Sequence, residues 1–266
     1  MKQLAALMLF VLCFSACNNL YPVPEKAEDG FEDLLWVGDD LLLTGPLDMQ
    51  TLLLLESAGN EQSFRMRRAV DPRFTLSTRF DQSLFLQNVD VDEIDIVIIQ
   101  AFGIKRDFSA DEYEGNALSW VNFFQSHNKE VIIFYPWTTI VDTEFEKQRL
   151  DELIHKIVWQ ENLVLVPVGP AWQAVKKEIP ALQLHAKDGI HPSAIGVYLS
   201  ACVFYTSLTG ESARNSPVYT SIGYDEPEEI IKLDSAISQH LQKVAWETIN
   251  DYLTKDEFRV IIKQVP

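Results

Sequence analysis

The sequence predicts an α/β domain of three layers: an open, mainly parallel β-sheet with helices on both faces. Three observations lead there. Short runs dense in Val, Ile and Leu recur along the chain, separated by longer stretches of helical period. Those runs are almost continuously apolar, the composition of a strand covered from both sides rather than one with a wet face. Strand and helix alternate without an internal repeat, which is the order that right-handed parallel crossovers produce.

Taken in order, the strands are DLLWV (33–37), a weaker SFRMRRAV (63–70), IDIVIIQ (94–100), EVIIFYPW (130–137) and NLVLVPVG (162–169). The helices between them carry their own start signals. Pro46 stands where a first-turn residue belongs, and Ser109 with Glu112 and Thr143 with Glu146 each fit a capping box. Gly59 and Gly210 fit helix ends. The stretch PEEIIKLDSAISQHLQKVAWETINDYL (227–253) reads as one or two amphipathic helices, a C-terminal extension packed on the core or offered to a partner. In such a domain the ligand site lies at the carboxyl ends of the strands.

With 266 residues, 47% of them hydrophobic, the chain can fill one sizeable core, so residues 31–266 read as a single domain. A net charge of −17, spread along the sequence, repels nucleic acid and disfavours it as a partner. Ahead of the domain, Lys2, the apolar LAALMLFVLCF (4–14) and the small residues before Cys17 resemble a bacterial lipoprotein signal. That resemblance implies that residues 1–17 are signal and lipobox and that Cys17 carries lipid. It further implies that Asn18 directs the protein to the outer membrane, and that residues 18–30 are a polar tether. The membrane is then a partner through the anchor. Cys13 would leave with the signal, and Cys202 alone remains in an apolar helix, so the mature chain has no internal disulfide.

Two segments carry chemistry. The first strand ends in Gly38-Asp39-Asp40, and Asp188 and His191 stand three apart just before a helix that opens at Pro192. The second spacing lets a carboxylate hold one imidazole nitrogen while the other faces a substrate, the pairing a general base needs. An Asp that caps a turn beside an incidental His has the same spacing. Together with LVPVGPAWQAV (165–175), these segments resemble the SGNH or GDSL hydrolase superfamily over roughly residues 33–210. The resemblance implies a flavodoxin-like α/β/α fold, esterase or acyl-hydrolase chemistry and no metal or organic cofactor. It also implies that His191 is the base, Asp188 its orienting carboxylate, and Asp40 the occupant of the nucleophilic serine's position.

The departures from that pattern matter. The block expected to supply an oxyanion glycine, AVDPRFTLS (69–77), has none, and IIQAFGIKRD (98–107) has Lys105 where an asparagine is usual. Gln100 is the candidate replacement donor, with Gly38, Asp39 and Trp172 as further cleft residues. A carboxylate at position 40 would give an unstable anhydride and repel the developing oxyanion, so serine-type catalysis is expected to be absent. Thr44, the one hydroxyl in GDDLLLTG, lies four residues too far along.

Three functions follow. One is a non-catalytic binder that keeps the cleft for an acylated glycan or an envelope protein, with Asp40 and His191 forming an ion pair between the first and last loops. Another is a hydrolase that uses His191 and Asp188 with another nucleophile or an activated water. The third is a divalent-metal site at Asp39 or Asp40, Asp188 and His191. His127, His155, His185 and His240 have no motif partner, and Arg65, Arg67 and Arg68 read as a solvated strand face or as ion-pair partners.

Overall fold

β1 (Phe31–Gly38) is the centre of the chain's architecture in this computed structural model, which describes residues 31–43, 45–57, 63–71, 76, 86, 89–103, 108–222 and 229–254. It is buried from Glu32 to Gly38, because strands pair with it on both sides and helices cover it on both faces. β2 (Ser63–Val70), β3 (Ile96–Gln100), β4 (Glu130–Tyr135) and β5 (Val164–Pro167) complete a sheet of order β2-β1-β3-β4-β5, parallel throughout. That is the flavodoxin-like order, in which the chain winds outward in two directions from β1 and leaves a crevice at the reversal. Residues 1–30, with the expected signal, Cys17 and tether, lie outside the described residues, as do Thr44, Gly59 and Lys105.

The helices divide between the two faces. α1 (Asp40–Leu43) is a single turn, followed by α2 (Leu47–Ser57), α3 (Ala110–Ser126), α4 (Glu144–Gln160), α5 (Val168–Glu178), α6 (Ala194–Thr209) and α7 (Ser235–Leu253). α3 and α4 pack together, whereas α6 contacts α2, α5 and α7. α6 is apolar all round, which a helix can be only when it is enclosed. Phe204 explains how it sits: its ring lies 4.6 Å from Trp36 of β1 and 5.0 Å from Phe134 of β4. Both capping boxes form, at Ser109 and Glu112 and at Thr143 and Glu146, and Gly210 closes α6 at φ 71°.

The sequence reading and the structure part at three places. Pro136 has no N–H to give the ladder, so β4 stops at Tyr135 rather than 137. β5 stops at Pro167 because α5 starts at once, with Pro170 in its first turn where the missing donor costs nothing. The stretch read as helical from 227 contains a strand instead: β7 (Glu229–Lys232) pairs antiparallel with β6 (Tyr219–Ile222), and α7 begins only after Asp234, whose carboxylate caps it. Glu-Ile-Ile-Lys is too short to fix a period, and its pairing with 219–222 decides the outcome.

The arginines of edge strand β2 are ion-pair partners. Arg65 and Arg67 both reach Asp33 of β1, Arg67 also pairs with Glu93 at 2.9 Å, and Arg68 pairs with Asp48 of α2 at 2.8 Å. Asp33 and Asp48 are each 2% exposed, and guanidinium forks are what make such burial tolerable. Among the described residues no helix is long and apolar enough to cross a membrane.

Candidate functional site

The site forms where β1 and β3 end. Gly38 must be glycine, because a Cβ there would lie 2.4 Å from Gln100 Oε1 and 2.5 Å from Leu42 Cδ1. That close approach lets Gln100, fully buried at the end of β3, fasten the loop. Its Oε1 accepts from the Asp39 N–H at 3.2 Å, and its Nε2 donates to Asp39 Oδ1 at 2.7 Å and to the Phe102 carbonyl at 2.9 Å. Asp39 Oδ1 also accepts from the Leu41 N–H at 3.0 Å. Asp39 is thus a buried structural carboxylate that starts α1. Gln100, proposed from the sequence as an oxyanion donor, has both amide hydrogens engaged in this lock, which corrects that assignment.

Asp40 is the first residue of α1, with 23% of its side chain exposed. Opposite it stands the turn ahead of α6. Asp188 Oδ1 accepts from the N–H groups of Ile190 and His191 at 2.9 and 3.1 Å, and Oδ2 accepts a hydrogen bond from His191 Nδ1 at 2.6 Å. Burial works against an ionised Asp188. The His191 ring, the two backbone donors and the imidazole charge outweigh it and hold the carboxyl down at about 2. Asp188 is therefore an anion that orients His191 at any ordinary pH.

The turn is anchored from behind. Gly189 has φ 71°, and a Cβ on it would sit 2.3 Å from Ile140 Cδ1, so glycine is required on two counts. The Ile140 N–H donates to the Gly189 carbonyl at 3.0 Å, and Trp137 Nε1 donates to the Ile190 carbonyl at 2.9 Å. Ser193 caps α6 through the Gly196 N–H at 3.2 Å. With the turn held this way, His191 Nε2 lies 3.7 Å from Asp40 Oδ2. Nε2 is covered from solvent and accepts or donates no hydrogen bond among the described residues.

The structure thus brings together Asp40, Asp188 and His191, with Gly38 and Asp39 behind Asp40. Trp172 is elsewhere: it is 3% exposed, stacked on Trp137 at 4.6 Å, and donates from Nε1 to Ser200 Oγ at 3.0 Å. It is core first, although one edge of it reaches a cavity beside the turn. Among the described residues no group of three or more His, Cys, Asp or Glu is arranged to hold an ion. His191 Nδ1 is committed to Asp188, which leaves Nε2 and Asp40 as two donors 3.7 Å apart. Sequence reasoning missed the anchors Trp137, Ile140 and Gly189. A tryptophan placed just after a strand's carboxyl end was the available signal.

Chemically, the arrangement is an oriented imidazole whose outer nitrogen faces a carboxylate rather than a hydroxyl. When the imidazole carries its second proton, the two make an ion pair across the crevice. When it does not, Nε2 can take a proton from a water or an alcohol placed in the gap.

No family profile matches the sequence, and no curated protein is similar to it in sequence. Solved structures are similar in fold. One of the DUF4886 family from Bacteroides uniformis aligns with a TM-score of 0.58 at 14% identity, over 83% of this chain and 95% of its own. An acetyl xylan esterase, AlAXEase, gives 0.56 at 16%, over 66% and 98%. A protein of Slackia heliotrinireducens regarded as an SGNH hydrolase gives 0.51 at 18%, over 65% and 97%. The parallel sheet order and these alignments agree that the chain has the fold of the SGNH hydrolases.

Proposed function

We propose that this chain is an outer-membrane lipoprotein of the cell envelope that has kept an SGNH hydrolase scaffold for binding and has given up ester hydrolysis by a serine mechanism. One observation carries the reading: the carboxylate of Asp40, not a hydroxyl, stands 3.7 Å from His191 Nε2. A carboxylate there cannot leave a stable acyl-enzyme and repels the charge that builds on an ester oxygen. The ligand we have in view is an acylated glycan or an envelope protein. Ile140, which packs on Gly189 of the turn that holds His191, and its neighbour Val141 are 67% and 79% exposed, apolar surface that favours such a partner. Structural neighbours described as acetyl xylan esterases make acetylated sugars the first ligands to try.

A second reading has its own support. The Asp188 and His191 pair is intact at 2.6 Å and Nε2 has no hydrogen-bond partner among the described residues, which suits a base that activates water. Hydrolysis of small acyl esters and acetylated sugars by the wild type, His191→Ala and Asp40→Ser separates the two. We expect an inert wild type and a measurably active Asp40→Ser, reduced by roughly a hundred- to a thousandfold for each oxyanion donor that is missing. Wild-type turnover that disappears in His191→Ala overturns the binding reading. Incorporation of labelled fatty acid that is lost in Cys17→Ala tests the anchor.

A further inference from the structure

We infer that the cavity between the loop after β4, α5 and the segment leading into the Asp188 turn is a second ligand site, suited to a small anionic sugar. It has a volume of about 480 Å³, inside the range of small-molecule sites, roughly 300–1,000 Å³. None of Asp40, Asp188 and His191 lines it, so it goes beyond the crevice discussed above.

Charge is the first reason. The chain has 39 acidic residues against 22 basic ones. Yet among the described residues this cavity is lined by Lys147, Lys176 and Lys187 and by no Asp or Glu. Lys147 shares its charge with Glu144, and Asp142 and Asp188 act on His185, so the uncommitted positive charge at the cavity is that of Lys176 and Lys187, which favours an anion there. Lys176 is also preset: its Nζ donates to the carbonyls of Pro180 at 2.6 Å and Leu182 at 3.1 Å. An ammonium has three donors, so one is left for a ligand, and the side chain's entropy is already spent. Lys147 is steadied by Glu144 at 2.6 Å, and Lys187 is exposed at the rim.

The back wall is the second reason. Trp137 and Trp172 are stacked with an interplanar angle of 11°, and both indole N–H groups are engaged, on Ile190 and Ser200. At 1% and 3% exposure the pair forms a rigid, apolar back wall without a stray donor, and a ligand would meet only its edge. His185 adds an acceptor. Its Nε2 is 2.8 Å from the Thr138 carbonyl, which only accepts, so Nε2 carries the hydrogen. Burial, opposed by that hydrogen bond and the nearby carboxylates, lowers its pKa and keeps the ring neutral at pH 7, with Nδ1 free to accept from a hydroxyl. A purely apolar ligand would have no use for the lysines, and a neutral glycan none for their charge.

The test is calorimetric titration of the full-length chain at low salt with glucuronate, glucose 6-phosphate and glucose. We expect at least one anion to bind and glucose to bind more than tenfold more weakly. The double variant Lys147→Gln, Lys187→Gln should weaken that anion about tenfold while leaving the melting temperature unchanged, since both lysines reach solvent at the rim. Which anion binds tells a carboxylate from a phosphate. Glucose binding as tightly as the anions, no binding by either anion, or undiminished binding by the double variant would overturn the inference. Because binding rather than turnover is read, failure here leaves the ester-hydrolysis experiment standing, and the reverse also holds.

Discussion

Replacing Asp188 with Asn tests whether the turn in front of α6 is held by a charge or only by its shape. In the native chain the carboxyl is held down at about 2, against an ordinary value of 3.8. At about 1.4 kcal/mol per unit that gap has a ceiling near 2.5 kcal/mol. The side chain is 46% exposed, so solvent screening cuts the contribution to about 1 kcal/mol. The sign follows from proton binding. Because the folded value is the lower one, the unfolded chain takes up the proton first. The stabilisation is therefore complete above about pH 4 and is lost as the pH falls through about 2. Asn keeps an oxygen for the Ile190 and His191 N–H groups, so the turn persists, while the charge and the hydrogen bond that Oδ2 accepts from His191 Nδ1 go together. Urea unfolding of both proteins at several pH values should show the variant weaker by about 1 kcal/mol near pH 6, with the difference shrinking as the pH drops towards 3. A difference that stays constant with pH, or none near pH 6, would refute the reasoning, because neither is compatible with an ionised Asp188 bound to His191 only in the folded state.

Two glycines should respond with opposite signs. Gly189→Ala must adopt φ 71° and press its methyl on Ile140, which costs about 2 kcal/mol. Gly115→Ala, on the exposed face of α3 with no atom within 4 Å of the added Cβ, should gain about 1 kcal/mol. Differential scanning calorimetry reads both, and equal shifts would mean that the turn at Gly189 is not constrained. Cys202 is fully buried in α6 and burial pushes its thiol well above the ordinary range. A disulfide reagent should therefore leave Cys202 unlabelled in the native chain and label it in denaturant. Rapid labelling of the native protein would mean that α6 is not enclosed.

Much of the fold was legible because its signals are local. β1 and β3 are apolar over their whole length, and the capping boxes at Ser109 and Thr143 need only four consecutive residues each. The weak edge strand 63–70 was legible too, as a charged edge: Arg65 and Arg67, on one face, bind Asp33 of β1, and Arg68, on the other, binds Asp48 of α2. What could not be read depends on groups distant in sequence. Residues 229–232 became a strand because 219–222 pair with them. Gln100 looked like a free donor until Asp39 and Phe102 claimed its amide. Lys147, Lys176 and Lys187 belong to three separate segments, and only the packing of α5 beside the loop after β4 puts them around one cavity.

The same geometry explains how position 40 can change without loss of the site. The path of the chain from Gly38 to Leu41 is set by the Gly38 approach to Gln100 and by the hydrogen bonds of Asp39, in which the side chain of residue 40 takes no part. The facing turn is set by Gly189, Ile140 and Trp137, again without residue 40. Both halves of the crevice are thus over-determined by neighbours, so a hydroxyl could be exchanged for a carboxylate at little cost in stability. Persistence of an oriented His191 is then no sign of catalysis by itself, since the anchors that hold it also hold the start of α6. The group opposite Nε2 decides the chemistry, and Asp40→Ser exchanges that group, a carboxylate for a hydroxyl, within the same anchored loops.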